Sequence, residues 1–313
     1  MTQALRLIRP ITVTAAMLGS YDVPEPATGD SPDPAAYSAA TTYALAARCH
    51  VATTHMIYES VQAGNIAHDP TTDTTNTWWV AVGATNRWRM FDQRNTSQTS
   101  RTGGIDVTVT PGQVYSGIAL LNVGKVSSVR ITMTDPTAGV VYDVTSAMQD
   151  PPSESSGYAY CFEDIVNKDT HIATDLPSYR TAALRVRFIT ASPSDVAAVG
   201  VMTVGQVKDI GTGVQMGARL GIQDYSVKQV NAYGDYTIVE RAFAKRTSFE
   251  MWVPRTQVDV VQALLASVRA TPCVWIGTDY YKSTVVYGFY RDFETTISYY
   301  DYSVLNISLE GLT

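Results

Sequence analysis

Between Gly103 and Gly205 several short runs alternate apolar and polar side chains, and a run with that period buries a single face only as β-strand. The runs IDVTVT, VYSGIALLNV, VSSVRITMTD and VVYDVT follow one another, divided by PGQ, GK and DPTAG turns. ALRVRFIT and VAAVGVMTVG continue the pattern. Short strands at even spacing are the sequence form of an antiparallel β-sandwich, which is therefore expected over residues 103–205.

The chain has 313 residues, more than one hydrophobic core usually serves, so further domains are expected on either side of the sandwich. Residues 1–36 read as an N-terminal strand and an arm, because YDVPEPATGDSPDP sets four prolines among small and acidic residues and forbids a regular ladder. Residues 37–102 are rich in aromatic residues, Thr and turn signals, and read as a small module of short strands. Residues 206–313 open with the glycine-rich DIGTGVQMGARLGIQDY, a loop or bent strand. DYTIVERAF and TSFEMWVP then read as strands. Thr256 is the expected cap of a helix whose Val258, Val261, Leu264, Leu265 and Val268 recur at three- and four-residue spacing. TPCVWIGT, TVVYGFYRDF and YSVLNISLEGL are three more strands. The expected fold is mainly β with a minor α+β part: aromatic β module, antiparallel sandwich, and a C-terminal sheet with one packed helix.

Charge narrows the function classes. A net charge of −6 opposes a phosphate-tracking surface, and no nucleic-acid partner is expected. Charged residues make up 17%, below the usual share of about a quarter, and with nineteen Tyr this favours buried subunit contacts. Cys49, Cys161 and Cys273 lack paired spacing and read as reduced core residues. Arg6 and Arg9 precede ITVTAAMLGS, but Thr12 and Thr14 interrupt the run. Export and membrane insertion are not expected.

The densest cluster is TWWVAVGATNRWRMFD. One reading makes Trp78, Trp79 and Trp88 a platform on which sugar rings stack, with Asn86, Arg87 and Asp92 satisfying hydroxyls. The other turns Trp78 or Trp79 into the core, covers it with Trp88 and Phe91, and pairs Arg87 with Asp92. His50 and His55 beside Glu59 have neither helical nor same-face strand spacing, so no metal site is expected. Glu163 with Asp164, or Asp292 with Glu294, offer acid pairs without an accompanying nucleophile, and no catalytic residue or cofactor is expected. GTGVQMG lacks the Lys-Ser/Thr of a phosphate loop. Tyr280, Tyr281, Tyr287, Tyr290, Tyr299 and Tyr300, together with Tyr302, exceed what one sheet face hides and read as a self-association surface.

With these segments in view, YESVQAGNIAHDP, WWVAVGATNRWRMFDQ, GIQDYSVKQ, ERAFAKRTSFEMWVP and the closing YGFYRDFE and ISLEGLT resemble tail-tip proteins of bacteriophages and prophages with long non-contractile tails, the transposable ones in particular. The resemblance spans nearly the whole chain. It implies a non-enzymatic baseplate or distal-tail protein, made in the host cytoplasm and resident in the virion. Its partners would be further copies of itself, in a ring or trimer, and other tail proteins. TTYALAARCHV through NIAHDP to TWW is similar to small chitinase-type carbohydrate modules, with Leu45 and Ala46 where several of these have Gly. That likeness implies a host surface glycan as partner and a receptor-reading role as the alternative, with polysaccharide depolymerase a lesser one. The C-terminal strand, helix and strand order resembles the fold shared by tail tubes and distal tail rings, which implies ring formation.

Overall fold

The computed structural model describes residues 4–29, 31–150, 166–215, 217–231, 233–279 and 281–312. Cys161, Glu163, Asp164 and Tyr280 lie outside them. The chain divides into two compact units, one of Met1–Ile11, Tyr115–Ile118 and Thr203–Thr313, the other of Thr12–Val114 and Ala119–Met202. The change of unit at Met202/Thr203 lies close to the expected boundary between 103–205 and 206–313, while the expected boundaries between 1–36, 37–102 and 103–205 fall inside the second unit. No turn ends the sandwich at Gly205, because Val196–Ile210 is one continuous strand. Gly205 instead gives a strand crossing its missing side chain: a Cβ there would overlap the carbonyl oxygen of Arg9.

The unit containing the C-terminus is an antiparallel sheet with a helix against its inner residues. The first strand of the chain, Leu5–Pro10, pairs with Ile210 to Gly205 on one side and with Cys273–Ile276 on the other. Val285–Thr296, Tyr302–Gly311 and Phe243–Pro254 follow in order, and Gly213–Val214 and Arg219–Asp224 both pair with Phe243–Pro254. A short 3-10 turn, Arg255–Gln257, leads into the helix Val258–Ser267. Thr256 lies inside that turn and caps nothing, which corrects the expected cap; Gln257 holds the cap position without a side-chain hydrogen bond. Period 3.6 still places Val261, Leu265 and Val268 on one side, where they join Leu5, Leu7, Phe249, Met251, Trp275, Leu305 and Ile307 in a single core. Trp275 carries its polar edge into this core and satisfies it by donating from Nε1 to the Gly288 carbonyl at 3.2 Å.

In the other unit the expected alternation is realised strand by strand. Gly139–Ala147, Ser128–Asp135, Ala183–Ile189, Ile105–Val109 and Leu18–Tyr21 form a five-stranded antiparallel sheet in that order. Val107, Val109, Val129, Ile131, Leu184, Val186 and Phe188 are buried. The intervening residues carry exposed cross-strand pairs, Arg185 with Asp106 at 2.5 Å and Arg130 with Asp143 at 2.6 Å. A second ladder joins Thr170–Ala173 to Gly117–Gly124 and this to the start of Val196–Ile210, against which Thr99–Thr102 also pairs. The aromatic module is a three-stranded antiparallel sheet of Arg48–Val51, Met56–Ser60 and Trp79–Ala84. The molecule is thus mainly β, with antiparallel sheets and one helix near the C-terminus. Cys49 and Cys273 are buried free thiols, and burial pushes them up to about 11 and about 12.

Two substitutions probe the C-terminal core. Leu265→Ala should cost about 2–5 kcal/mol in a urea unfolding series, since it removes packed atoms from a fully buried site. Gly288→Ala should destabilise at least as much although it adds one methyl, because that methyl meets the Glu310 backbone carbonyl across the ladder.

Candidate functional site

The aromatic module is tied together by carboxylates that accept backbone and indole N–H groups. Asp73 precedes the tryptophan pair by one turn, and its carboxylate accepts Trp78 N at 2.7 Å, Trp79 N at 2.9 Å and Thr77 N at 3.1 Å. These bonds favour the charged form and lower its pKa from 3.8 to about 2, the Trp78 N–H contributing most. Asp73 thereby sets where the two indoles begin. Trp79 opens the strand Trp79–Ala84, while Trp78 stands in the bend just before it and packs against the same small core.

Trp79 goes inward. It is buried edge-on to Tyr43, 4.9 Å between ring centroids, and donates from Nε1 to the His68 carbonyl at 2.8 Å. Trp78 stays half-buried with one face covered by the His68 ring, stacked at 3.8 Å and 11°. Trp88 is also buried, stacked on His55 at 4.2 Å. Arg87 lies 4.8 Å over the Tyr21 ring and donates to the Val23 carbonyl, while Asp92 accepts Arg94 N and Ser97 Oγ. Burial raises the Asp92 carboxyl above its ordinary value. The expected Arg87–Asp92 pair does not form, because each residue reaches a nearer partner on its own side of the turn. Asn86 is buried and bonds Ser100 through both ends of its amide. Of the expected sugar platform, Trp78 alone keeps a half-open indole.

The residue that sequence reasoning passed over is Glu25, in the Pro-rich segment. Its carboxylate, 11% exposed, accepts Thr85 Oγ1 at 2.7 Å, His55 Nδ1 at 2.9 Å and Trp88 Nε1 at 3.2 Å. His55 meets it from a hairpin position with φ 58°, the left-handed region that a β-carbon makes costly, so the ring is held there by its contacts. Asp33 repeats the device: its two oxygens accept Ala27 N at 2.8 Å and Asn86 N at 2.9 Å. Arg89 reaches Ser31. The expected arm is in these respects a strap bound across the module, and nothing in its composition marks Glu25 apart from the other acids. His50, His55 and Glu59, weighed above as metal ligands, go to three different partners: the Pro34 carbonyl, Glu25 and Arg48. Between strap and module opens a cleft of about 500 Å³ with Arg48, Arg89 and Arg94 on its walls.

The tyrosines divide. Tyr287 is buried, and Tyr290 packs edge-on against Trp275 and Phe293. Tyr281, Tyr299 and Tyr300 are exposed. At the tip joining Val285–Thr296 to Tyr302–Gly311, Tyr299 stacks on Tyr302 at 4.5 Å, Tyr302 leans on Trp252 at 5.1 Å, and Arg255 covers Tyr300 at 4.9 Å. Asp292 and Glu294 are exposed on one face of the strand opposite Ser308 and Asn306. Sequence counting missed a second apolar surface. Val227–Val230 and Tyr236–Val239 make a hairpin of their own, with Tyr233 92%, Tyr236 72% and Ile238 65% exposed.

No family model matches the chain, and no curated protein is detectably similar to it. Among the described residues no helix is long and apolar enough to cross a membrane, and no group of three ligating side chains is placed to hold a metal.

Glu25→Ala leaves three inward-facing donors without an acceptor and should lower stability by about 1–3 kcal/mol, with faster amide exchange across residues 22–33. For Asp73 the folded pKa is the depressed one. Its contribution is complete above pH 3.8 and is lost as pH falls toward about 2. Asp73→Asn should accordingly be less stable than the parent at neutral pH, with the gap closing across that window in near-UV circular dichroism of the indoles.

Proposed function

We propose that this protein is a non-enzymatic structural component of a phage tail tip, a baseplate or distal-tail part that assembles with copies of itself through the unit containing residues 203–313. The observation that carries this reading is the Val227–Val239 hairpin. A two-stranded ladder is marginal in water by itself, and this one holds Val230, Tyr233, Tyr236, Ile238 and Val239 in the open. Covering those side chains supplies the burial that the ladder lacks, and a closed ring or trimer gives every copy the same cover. The exposed Tyr299 and Tyr300 at the 297–301 turn add amphipathic contact area of the type enriched at interfaces. The sequence resemblance points the same way: other tail proteins are the further partners and the virion the place of residence.

A glycan-reading role is the second reading and rests on Trp78, whose half-buried indole is already braced by His68. Trp78→Ala abolishing adsorption to host polysaccharide would favour it. The structural reading is tested by light scattering of the purified chain followed by negative-stain imaging. The expected result is a closed oligomer that Tyr233→Ser, Tyr236→Ser and Ile238→Ser together convert to monomer without lowering the melting temperature. A monodisperse monomer of the parent chain at tens of micromolar removes the proposal.

A further inference from the structure

Three arginines converge on the C-terminal sheet in a place that the assembly reading leaves unused. Arg219 stands opposite Ser248, which stands opposite Ser308, so the three side chains share one face of neighbouring strands. Arg246 is two residues from Ser248 on that face, and Arg291 enters at the bulge between Tyr290 and Asp292. Together they line a cleft of about 320 Å³ that has hydroxyls and no carboxylate on its walls. Arg246 donates to the neutral Gln223 at 3.1 Å. Glu310, facing Arg246 across the ladder, accepts the Tyr225 hydroxyl at 3.2 Å, and among the described residues none of the three guanidinium groups forms an ion pair. Glu310 opposite Arg246 and Asp292 opposite Ser308 offset part of this charge on the inner strands, so the excess of positive charge lies toward Arg219 and Arg246 at the outer side of the cleft.

Beside the cleft the sheet is open. Arg219–Asp224 pairs with Phe243–Pro254 alone, so its far edge carries no partner among the described strands. Leu220 and Ile222, pointing to the other face of the strand, are exposed. Gly221 leaves the gap between Arg219 and Gln223 unfilled: the nearest atom to a Cβ there would be the Arg246 carbonyl oxygen at 4.0 Å.

We propose that this edge receives an extended strand of another protein, with acidic side chains at alternate positions and apolar ones between. A strand of period two laid along Arg219–Asp224 directs its carboxylates toward Arg219 on the adjoining strand and Arg246 on the next, and its apolar residues beside Leu220 and Ile222. The backbone ladder supplies attachment and the arginines supply selectivity. The proposal goes beyond the assembly reading and does not depend on it.

The probe is a fluorescein-labelled peptide alternating Val and Asp, titrated with the full chain in low salt and followed by anisotropy. Its Val and Asn counterpart should bind about tenfold more weakly or worse, as should the acidic peptide to R219Q/R246Q. Gly221→Leu should weaken binding comparably while changing no charge, since it fills the gap. Absence of binding by the acidic peptide, or equal binding of the neutral one, overturns the proposal on the parent protein alone. Loss in the arginine variant with full retention in Gly221→Leu also overturns it, because that pattern describes a diffuse anion patch and not a strand site.

Discussion

The C-terminal sheet exists as one body because a six-residue strand from the start of the chain lies in its middle. Leu5–Pro10 takes up the ladder of residues 205–210 on one edge and of Cys273–Ile276 on the other, and places Leu5 and Leu7 in the same core as Trp275 and Leu265. Without it both neighbours would carry unpaired backbone groups against a buried core, which is costly for every N–H and C=O left dry. The two ladders join residues far apart in sequence, Leu5 with Ile210 and Arg6 with Ile276. Their closure entropy must be met before the inner hydrophobic contacts are made, so this sheet belongs to the slow, non-local class of folds.

The aromatic module is organised by a different force. Its strands are short and its aromatic residues many, and the polar edges of those aromatics need acceptors wherever they are buried. Glu25 accepts the Trp88 indole N–H and the His68 carbonyl accepts that of Trp79, while Asp33 and Asp73 accept backbone N–H groups beside them; Glu25 and Asp33 come from a segment whose prolines keep it from pairing as a strand. The strap and the indoles therefore stabilise one another: the strap supplies charge to buried donors, and the donors hold in place a segment without secondary structure of its own. The same arrangement occupies the faces of Trp79 and Trp88 that a sugar platform would need free.

Three open surface features lie on the unit containing the C-terminal sheet. The 227–239 hairpin and the 297–301 tip expose aromatic and aliphatic side chains, and the Arg219–Asp224 edge combines a free ladder with a cationic cleft. Edge strands are usually blunted by charge or cover, and arginines beside this one admit an acidic partner while discouraging pairing with a neutral strand.

The period of side-chain polarity is local, so the sequence by itself determined the strands from Ile105 to Val204, the apolar stripe of the one helix, and the mainly β class. Local pattern left Trp79 open between core and platform and placed Tyr287 on a self-association surface, and tertiary packing buries both. It could not say that Thr256 would fall within a 3-10 turn, that Gly205 would lie against the backbone of Arg9 in a ladder, or that Glu25 would be the acceptor for Trp88. Each of those depends on which distant segment arrives alongside. A hydrogen-bond acceptor or a missing Cβ has meaning only against its neighbour in space, and that neighbour is chosen by tertiary pairing and not by anything within reach along the chain.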